Sequence, residues 1–127
     1  RKRSEHQRDR QVARCAAAAK QCGLNHLPDL RPPLALADYL ARPDRAAALL
    51  GDAGPGARPI AAALGDAPAG EPIDLLVGPE GGLNDDERRQ AVESGFAPVR
   101  LGATVLRVET AAVALLAVTR ALAKAPA

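Results

Sequence analysis

Two glycine-punctuated stretches hold the residues of this chain that could do chemistry. The first is Val77-Gly78-Pro79-Glu80-Gly81-Gly82-Leu83. Glycines lack Cβ and let backbone come close to a ligand, and Pro79 stiffens the entry to the loop. The pattern is neither GxGxxG nor a glycine loop ending in Lys-Ser/Thr, so dinucleotide and P-loop readings both fail. Glu80, Asp85, Asp86 and Glu87 make an acidic rim, which is a poor cradle for phosphate. It suits a ligand that is neutral or positive at that end and has ribose hydroxyls to satisfy. The second stretch runs Leu101-Gly102-Ala103-Thr104-Val105-Leu106-Arg107-Val108-Glu109-Thr110. Arg107 and Glu109 fall where a loop would meet a helix, as reactive charges or as an ion pair at the helix start. Both glycine loops would serve equally as tight turns if no ligand enters.

The elements around these loops follow from periodicity. Ile73–Val77 is a short apolar run that suits a central parallel strand, and Pro98–Leu101 is a second. Asn84 can cap a helix with Glu87 three residues on, and that helix should stop at Gly95. Residues 109–124 read as a helix that is apolar nearly all round, which needs cover on more than one side and so implies an oligomer interface. Strand, glycine loop, helix, twice over, is the order of an α/β fold with a parallel sheet, whose ligands bind beyond the carboxyl ends of the strands. Upstream, residues 7–22 have helical spacing and end at Gly23, Leu34–Ala41 is a short helix and Ala46–Leu50 a short strand. Pro59–Leu64 could form one or two helical turns with Pro59 at the first position.

Composition narrows the choice further. The chain has 127 residues, 47% hydrophobic and 25% charged, which are the values of one globular domain over residues 1–127. Tyr39 and Phe96 are its only aromatics, so recognition of bases by stacking is excluded as a main function. Cys15 and Cys22 cannot build a disulfide scaffold, and with His6 and His26 they make no zinc-spaced cluster, so no metal is expected. No apolar run is long enough to span a membrane and the first ten residues have no signal-peptide core, so a cytoplasmic location is expected. Residues 1–20 carry seven Lys and Arg against Glu5 and Asp9, although the whole chain has a net charge of only +2. A basic segment of this kind can attract phosphates or simply form a solvated helix face.

VGPEGGLNDDE, LGATVLRVETAA and the upstream AAKQCGLNHLP together resemble the RsmE family of ribosomal RNA uridine N3-methyltransferases, members of the SPOUT class. The resemblance covers residues 8–124, and the order and spacing of the two later motifs make it specific. It implies an α/β fold with a parallel sheet and a deep C-terminal trefoil knot. It also implies S-adenosyl-L-methionine as cofactor, small-subunit (16S) ribosomal RNA as partner, and a homodimer packed through the last helix. Backbone of Val77, Gly78, Pro79, Gly81 and Gly82, and of Leu101, Gly102, Val105 and Leu106, would hold the cofactor. On the chemistry of the reaction, Arg107 would stabilise charge on the uridine, while Glu80 or Glu109 would take the N3 proton or orient Arg107. Leu24 and Thr104 stand where the family carries arginine. Compared with a full-length member, the chain lacks the N-terminal RNA-binding barrel and the first strand and helix of the methyltransferase domain. The alternative is a catalytically impaired knot domain that dimerises and binds cofactor or RNA without turnover.

Overall fold

A computed structural model describes residues 2–43 and 45–124, with side chains from residue 6 onward. The chain divides into two compact units, Arg1–Leu34 and Ala35–Ala127.

The first unit is built on one helix, α1 (Lys2–Gln21). It begins five residues before the start expected at residue 7. Lys, Arg, Glu and Gln are good helix formers and need no buried face to continue a helix already nucleated. Gly23 ends it at φ +71°, where Leu24 N–H donates to Ala19 O at 2.9 Å and Gly23 N–H to Lys20 O at 3.4 Å. That pair of bonds is the Schellman arrangement, which glycine enters without a Cβ penalty. In the segment that follows, Arg8 Nη2 donates to Leu30 O at 3.2 Å.

The second unit is a four-stranded parallel sheet with helices on both faces. In chain order it contains α2 (Leu36–Leu40), β1 (Ala47–Gly51), β2 (Arg58–Pro59), α3 (Ile60–Asp66), β3 (Ile73–Val77), α4 (Asp85–Glu93), β4 (Ala97–Arg100) and α5 (Val108–Leu122). The strands lie side by side as β2-β4-β1-β3, with Leu49 opposite both Leu75 and Ala97. The chain runs from β1 to β3 on one side, then crosses through α4 to β4 on the other. Alternation along β1 splits the core into two layers. Leu49 packs with Ile60, Leu64, Val99 and Leu115 on the α3/α5 face. Ala48 and Leu50 pack with Leu40, Ala91 and Phe96 on the α2/α4 face. The two-residue strand β2 has no counterpart in the sequence reading; Pro59 is tolerated there because it sits on the sheet edge.

Capping at α4 matches the sequence reading in atomic detail. Asn84 Oδ1 accepts from Glu87 N–H at 2.9 Å, and Glu87 Oε2 accepts from Asn84 N–H at 2.9 Å. Gly95 (φ +99°) closes the other end, with Phe96 N–H donating to Ala91 O at 3.0 Å while both side chains pack in the same core layer. On this face Arg45 replaces the missing aromatics as a packing element. Its guanidinium lies 5.1 Å from the ring centres of Tyr39 and Phe96 and pairs with Asp74 at 3.0 Å, its side chain only 8% exposed. Tyr39 also donates to Asp74 at 3.1 Å. Burial first, and then the Asp74 carboxylate, hold the Tyr39 hydroxyl above its ordinary pKa.

α5 begins one residue earlier than expected: Arg107 is its N-cap, and Ala111 N–H donates to Arg107 O at 2.8 Å. Leu115 and Thr119 are buried, whereas Val113, Leu116 and Leu122 are exposed. Thr119 Oγ1 is the one buried side-chain polar atom without a hydrogen-bond partner among the described residues. Thr119→Val should therefore raise stability by about 1 kcal/mol, because the isosteric methyl carries no desolvation cost. A thermal melt checks this: a rise of a few degrees is expected, and a fall would mean the hydroxyl is satisfied in solution.

Candidate functional site

The carboxyl ends of β1, β3 and β4 converge on one cleft of about 520 Å³. That volume lies within the usual range for small-molecule sites. Its walls come from three loops and the start of α5. After β1 come Asp52, Ala53 and Gly54, after β3 the stretch Gly78–Leu83, after β4 the residues Leu101, Gly102, Thr104, Val105 and Leu106, and from α5 Val108 and Ala111. The site therefore sits where strand order reverses around β1, the position at which parallel sheets open a crevice.

Each loop is shaped by its own residues. Gly82 N–H donates to Pro79 O at 2.8 Å, closing a β-turn over Glu80 and Gly81, and Gly82 holds φ +75°. A Cβ on Gly81 or Gly82 would meet no protein atom within 4 Å, so the conformation at Gly82, not crowding, requires glycine there. The tight approach lies at Gly78 instead. A Cβ there would come to 3.0 Å from the Leu83 backbone nitrogen and 3.3 Å from Gly82 C. The loop thus pinches at its base, between Gly78 and Gly82–Leu83, and opens at its tip.

The structure brings Val77, Gly78, Pro79, Gly81, Gly82, Leu101, Gly102, Val105 and Leu106 into this one wall, together with Glu80. Arg107 and Glu109 do not line it. Both are exposed, on the chain segment whose Leu106 and Val108 do. No ion pair joins Arg107 to Glu109 among the described residues, so the helix-start pair that the spacing allowed is not formed. Glu80 is likewise exposed and unpaired among them. Thr104 lines the cleft as an uncharged residue, while Leu24 is exposed in the first unit.

Sequence reasoning missed the β1 side of the site, namely Asp52, Gly54 and their partner Arg88, together with Arg100 on β4. The signal was present, since Gly51-Asp52-Ala53-Gly54 follows an apolar run as the other two loops do. Further prolines and glycines follow closely, at Pro55, Gly56 and Pro59, and mask it as a separate loop. Arg100 Nη1 donates to Ala57 O at 2.5 Å, so it braces the loop before β2 while its positive charge stays at the cleft.

The lining suits a nucleoside with a short charged arm. Leu50, Val77, Val99, Leu101, Val105 and Leu106 offer apolar wall, while the strand-end backbones offer N–H and C=O groups and the free Glu80 carboxylate offers negative charge. Among the described residues no group of three or more His, Cys, Asp or Glu could hold a metal ion, and no helix is long and apolar enough to cross a membrane.

Comparison with known proteins agrees with this geometry. The family model of the RNA methyltransferase domain matches residues 1–120. A Legionella pneumophila protein, described as a methyltransferase in complex with the cofactor SAM, is 32% identical, with a TM-score of 0.80 over 95% of this chain and 49% of that one. The ribosomal RNA small subunit methyltransferase E of Neisseria gonorrhoeae, solved bound to S-adenosyl methionine, is 30% identical, with a TM-score of 0.76 over 91% of this chain and 49% of that one. The methyltransferase E of Mycobacterium bovis is 55% identical over 38 residues, 30% of this chain and 14% of its own length. The chain thus spans about half the length of the solved relatives it matches.

Proposed function

We propose, from the premise that this chain belongs to the RNA methyltransferase domain family and is of the RsmE type, that it binds S-adenosyl-L-methionine in the strand-end cleft and methylates N3 of a uridine in small-subunit ribosomal RNA. The observation that carries the reading is the meeting of both glycine motifs, separated by some twenty residues, in one cleft of nucleoside size. We further infer that residues 1–127 act as a single methyltransferase domain, that the two loops form the trefoil knot of the SPOUT class, and that the protein works in the cytoplasm, where ribosomal RNA is found.

When bound, S-adenosyl-L-methionine supplies an electrophilic methyl carbon on its sulfonium. Backbone groups of Val77–Gly82 and Leu101–Leu106 would hold the cofactor, and the apolar walls would exclude water from it. The chain's main contribution is alignment, worth several orders of magnitude in rate when the acceptor nitrogen is held in line. Uridine N3 carries a proton, so a base is needed, and the exposed carboxylates Glu80 and Glu109 are placed on the two stretches that bound the cleft. Arg107, exposed beside the wall residue Leu106, would stabilise negative charge on the uracil ring.

The exposed Val113, Leu116 and Leu122 of α5 support a homodimer formed through that helix. The basic residues Arg8, Arg10, Arg14 and Lys20 of α1 are all exposed, which supports contact with the RNA backbone. One observation favours a second reading: Thr104 puts no charge in the cleft wall where the family carries arginine. On that reading the chain binds cofactor or RNA and dimerises without turnover.

Calorimetric titration with S-adenosyl-L-methionine tests the central reading. Saturable binding of one ligand per chain is expected, and light scattering of the same sample should give twice the chain mass. Absence of binding by a folded sample would sink the assignment. Methylation at N3 blocks the pairing edge of uracil, so reverse transcription of treated ribosomal RNA should stop at the modified base. Cofactor binding without such a stop would select the second reading.

A further inference from the structure

One side-chain pair ties together two of the three loops that bound the cleft. Asp52 follows β1, and Arg88 lies in the first turns of α4, 36 residues later. Arg88 Nε donates to Asp52 Oδ2 at 2.5 Å, with the two side chains 35% and 18% exposed. Arg88 Nη2 also donates to Pro55 O at 3.3 Å. Asp52 uses its other oxygen to accept from Gly54 N–H at 2.7 Å, and its own N–H donates to Val99 O at 2.9 Å. Both residues line the cleft.

These bonds close a frame. The Asp52 backbone fixes the β1 loop to β4. Its carboxylate fixes the same loop to α4, and Arg88 N–H donates to Asn84 O at 2.9 Å, so Arg88 is held by the cap that ends the glycine loop. We infer that Asp52 and Arg88 are positioning residues that set the gap between the β1 loop and the Gly78–Leu83 loop, and thereby the affinity of the cleft for its adenosyl ligand. The inference rests on the cofactor reading above. An ion pair this sheltered is screened less by salt than an exposed one, and removing one partner leaves the other's charge unmatched at the cleft wall. Asp52→Asn frees the Arg88 side chain, and Arg88→Gln leaves the Asp52 carboxylate uncompensated.

The test uses S-adenosylhomocysteine as calorimetric ligand and hydrogen exchange of amides 80–84 as a ligand-free readout. Asp52→Asn and Arg88→Gln should each weaken binding at least about tenfold and speed exchange at those amides. The exchanged pair Asp52→Arg/Arg88→Asp should restore most of both. Unchanged affinity in both single variants, where the parent chain binds, overturns the inference. So does a loss of affinity that the exchanged pair fails to recover while its melting temperature is normal, because the two residues then act singly on the ligand and not through the bond between them. If the parent takes up no ligand, the cofactor reading fails, and the exchange rates still decide the pair: no acceleration in either single variant overturns it. Should Asp52→Asn fail to fold, Arg88→Gln carries the same measurements.

Discussion

Gly78→Val is expected to lower affinity for S-adenosylhomocysteine at least about a hundredfold, roughly 2.7 kcal/mol. The reason lies within the chain. A Cβ at position 78 would stand 3.0 Å from the Leu83 backbone nitrogen and 3.3 Å from the Leu83 side chain, and neither can swing aside as the end of a flexible side chain would. Leu83 packs against the Leu50, Ala91 and Phe96 layer, so the strain must go into the loop. The turn closed by Gly82 N–H and Pro79 O then opens, and the backbone groups facing the cleft lose their register. Gly65→Ala is the control. A Cβ there meets nothing within 4 Å and the residue lies inside α3, so the change should be neutral for binding and gain about 0.5–1 kcal/mol of stability. Calorimetry of both variants, with circular dichroism to establish that each is folded, decides the matter. Normal affinity in folded Gly78→Val would make the glycine loop a turn with no part in binding.

Arg107→Ala should reduce methyl transfer at least about a hundredfold, again roughly 2.7 kcal/mol, with little change in cofactor affinity or melting temperature. Its position separates these effects. Arg107 is the N-cap of α5 but contributes no side-chain capping bond, and among the described residues it joins no ion pair. Truncation therefore removes nothing that holds the fold. The cofactor would be held by backbone on either side of this residue, which alanine leaves in place. What is lost is an exposed positive charge beside Leu106 at the edge of the cleft, available to a substrate base. Steady-state rates on ribosomal RNA and a thermal melt read the two roles separately. Full turnover in the alanine variant would remove Arg107 from the reaction. A large fall in melting temperature would make it a structural residue.

Local signals settled much of this protein in advance. Asn84 with Glu87, Gly23 and Gly95 are contacts within five residues of one another, so the capping box and both glycine stops could be read from residue type and spacing alone. Ile73–Val77 was legible as a strand because its residues are apolar except Asp74, and the two glycine loops were legible as candidates because each follows such a run. The central place expected for Ile73–Val77 is not what the sheet gives it, since β3 is a half-buried edge strand, and strand order depends on pairing between distant segments. The tertiary structure decided what depends on pairing across the sheet. The order β2-β4-β1-β3 places the β1 loop between the other two, and nothing in Gly51-Asp52-Ala53-Gly54 announces that neighbourhood. The Asp52–Arg88 pair spans 36 residues, beyond any helical or strand period. Arg45 between Tyr39 and Phe96 is another case, an arginine buried because the nearby Tyr39 and the distant Phe96 and Asp74 surround it. The steric demand at Gly78, in place of Gly81 and Gly82, was likewise invisible, because a missing Cβ has consequences only where folded backbone returns to meet it.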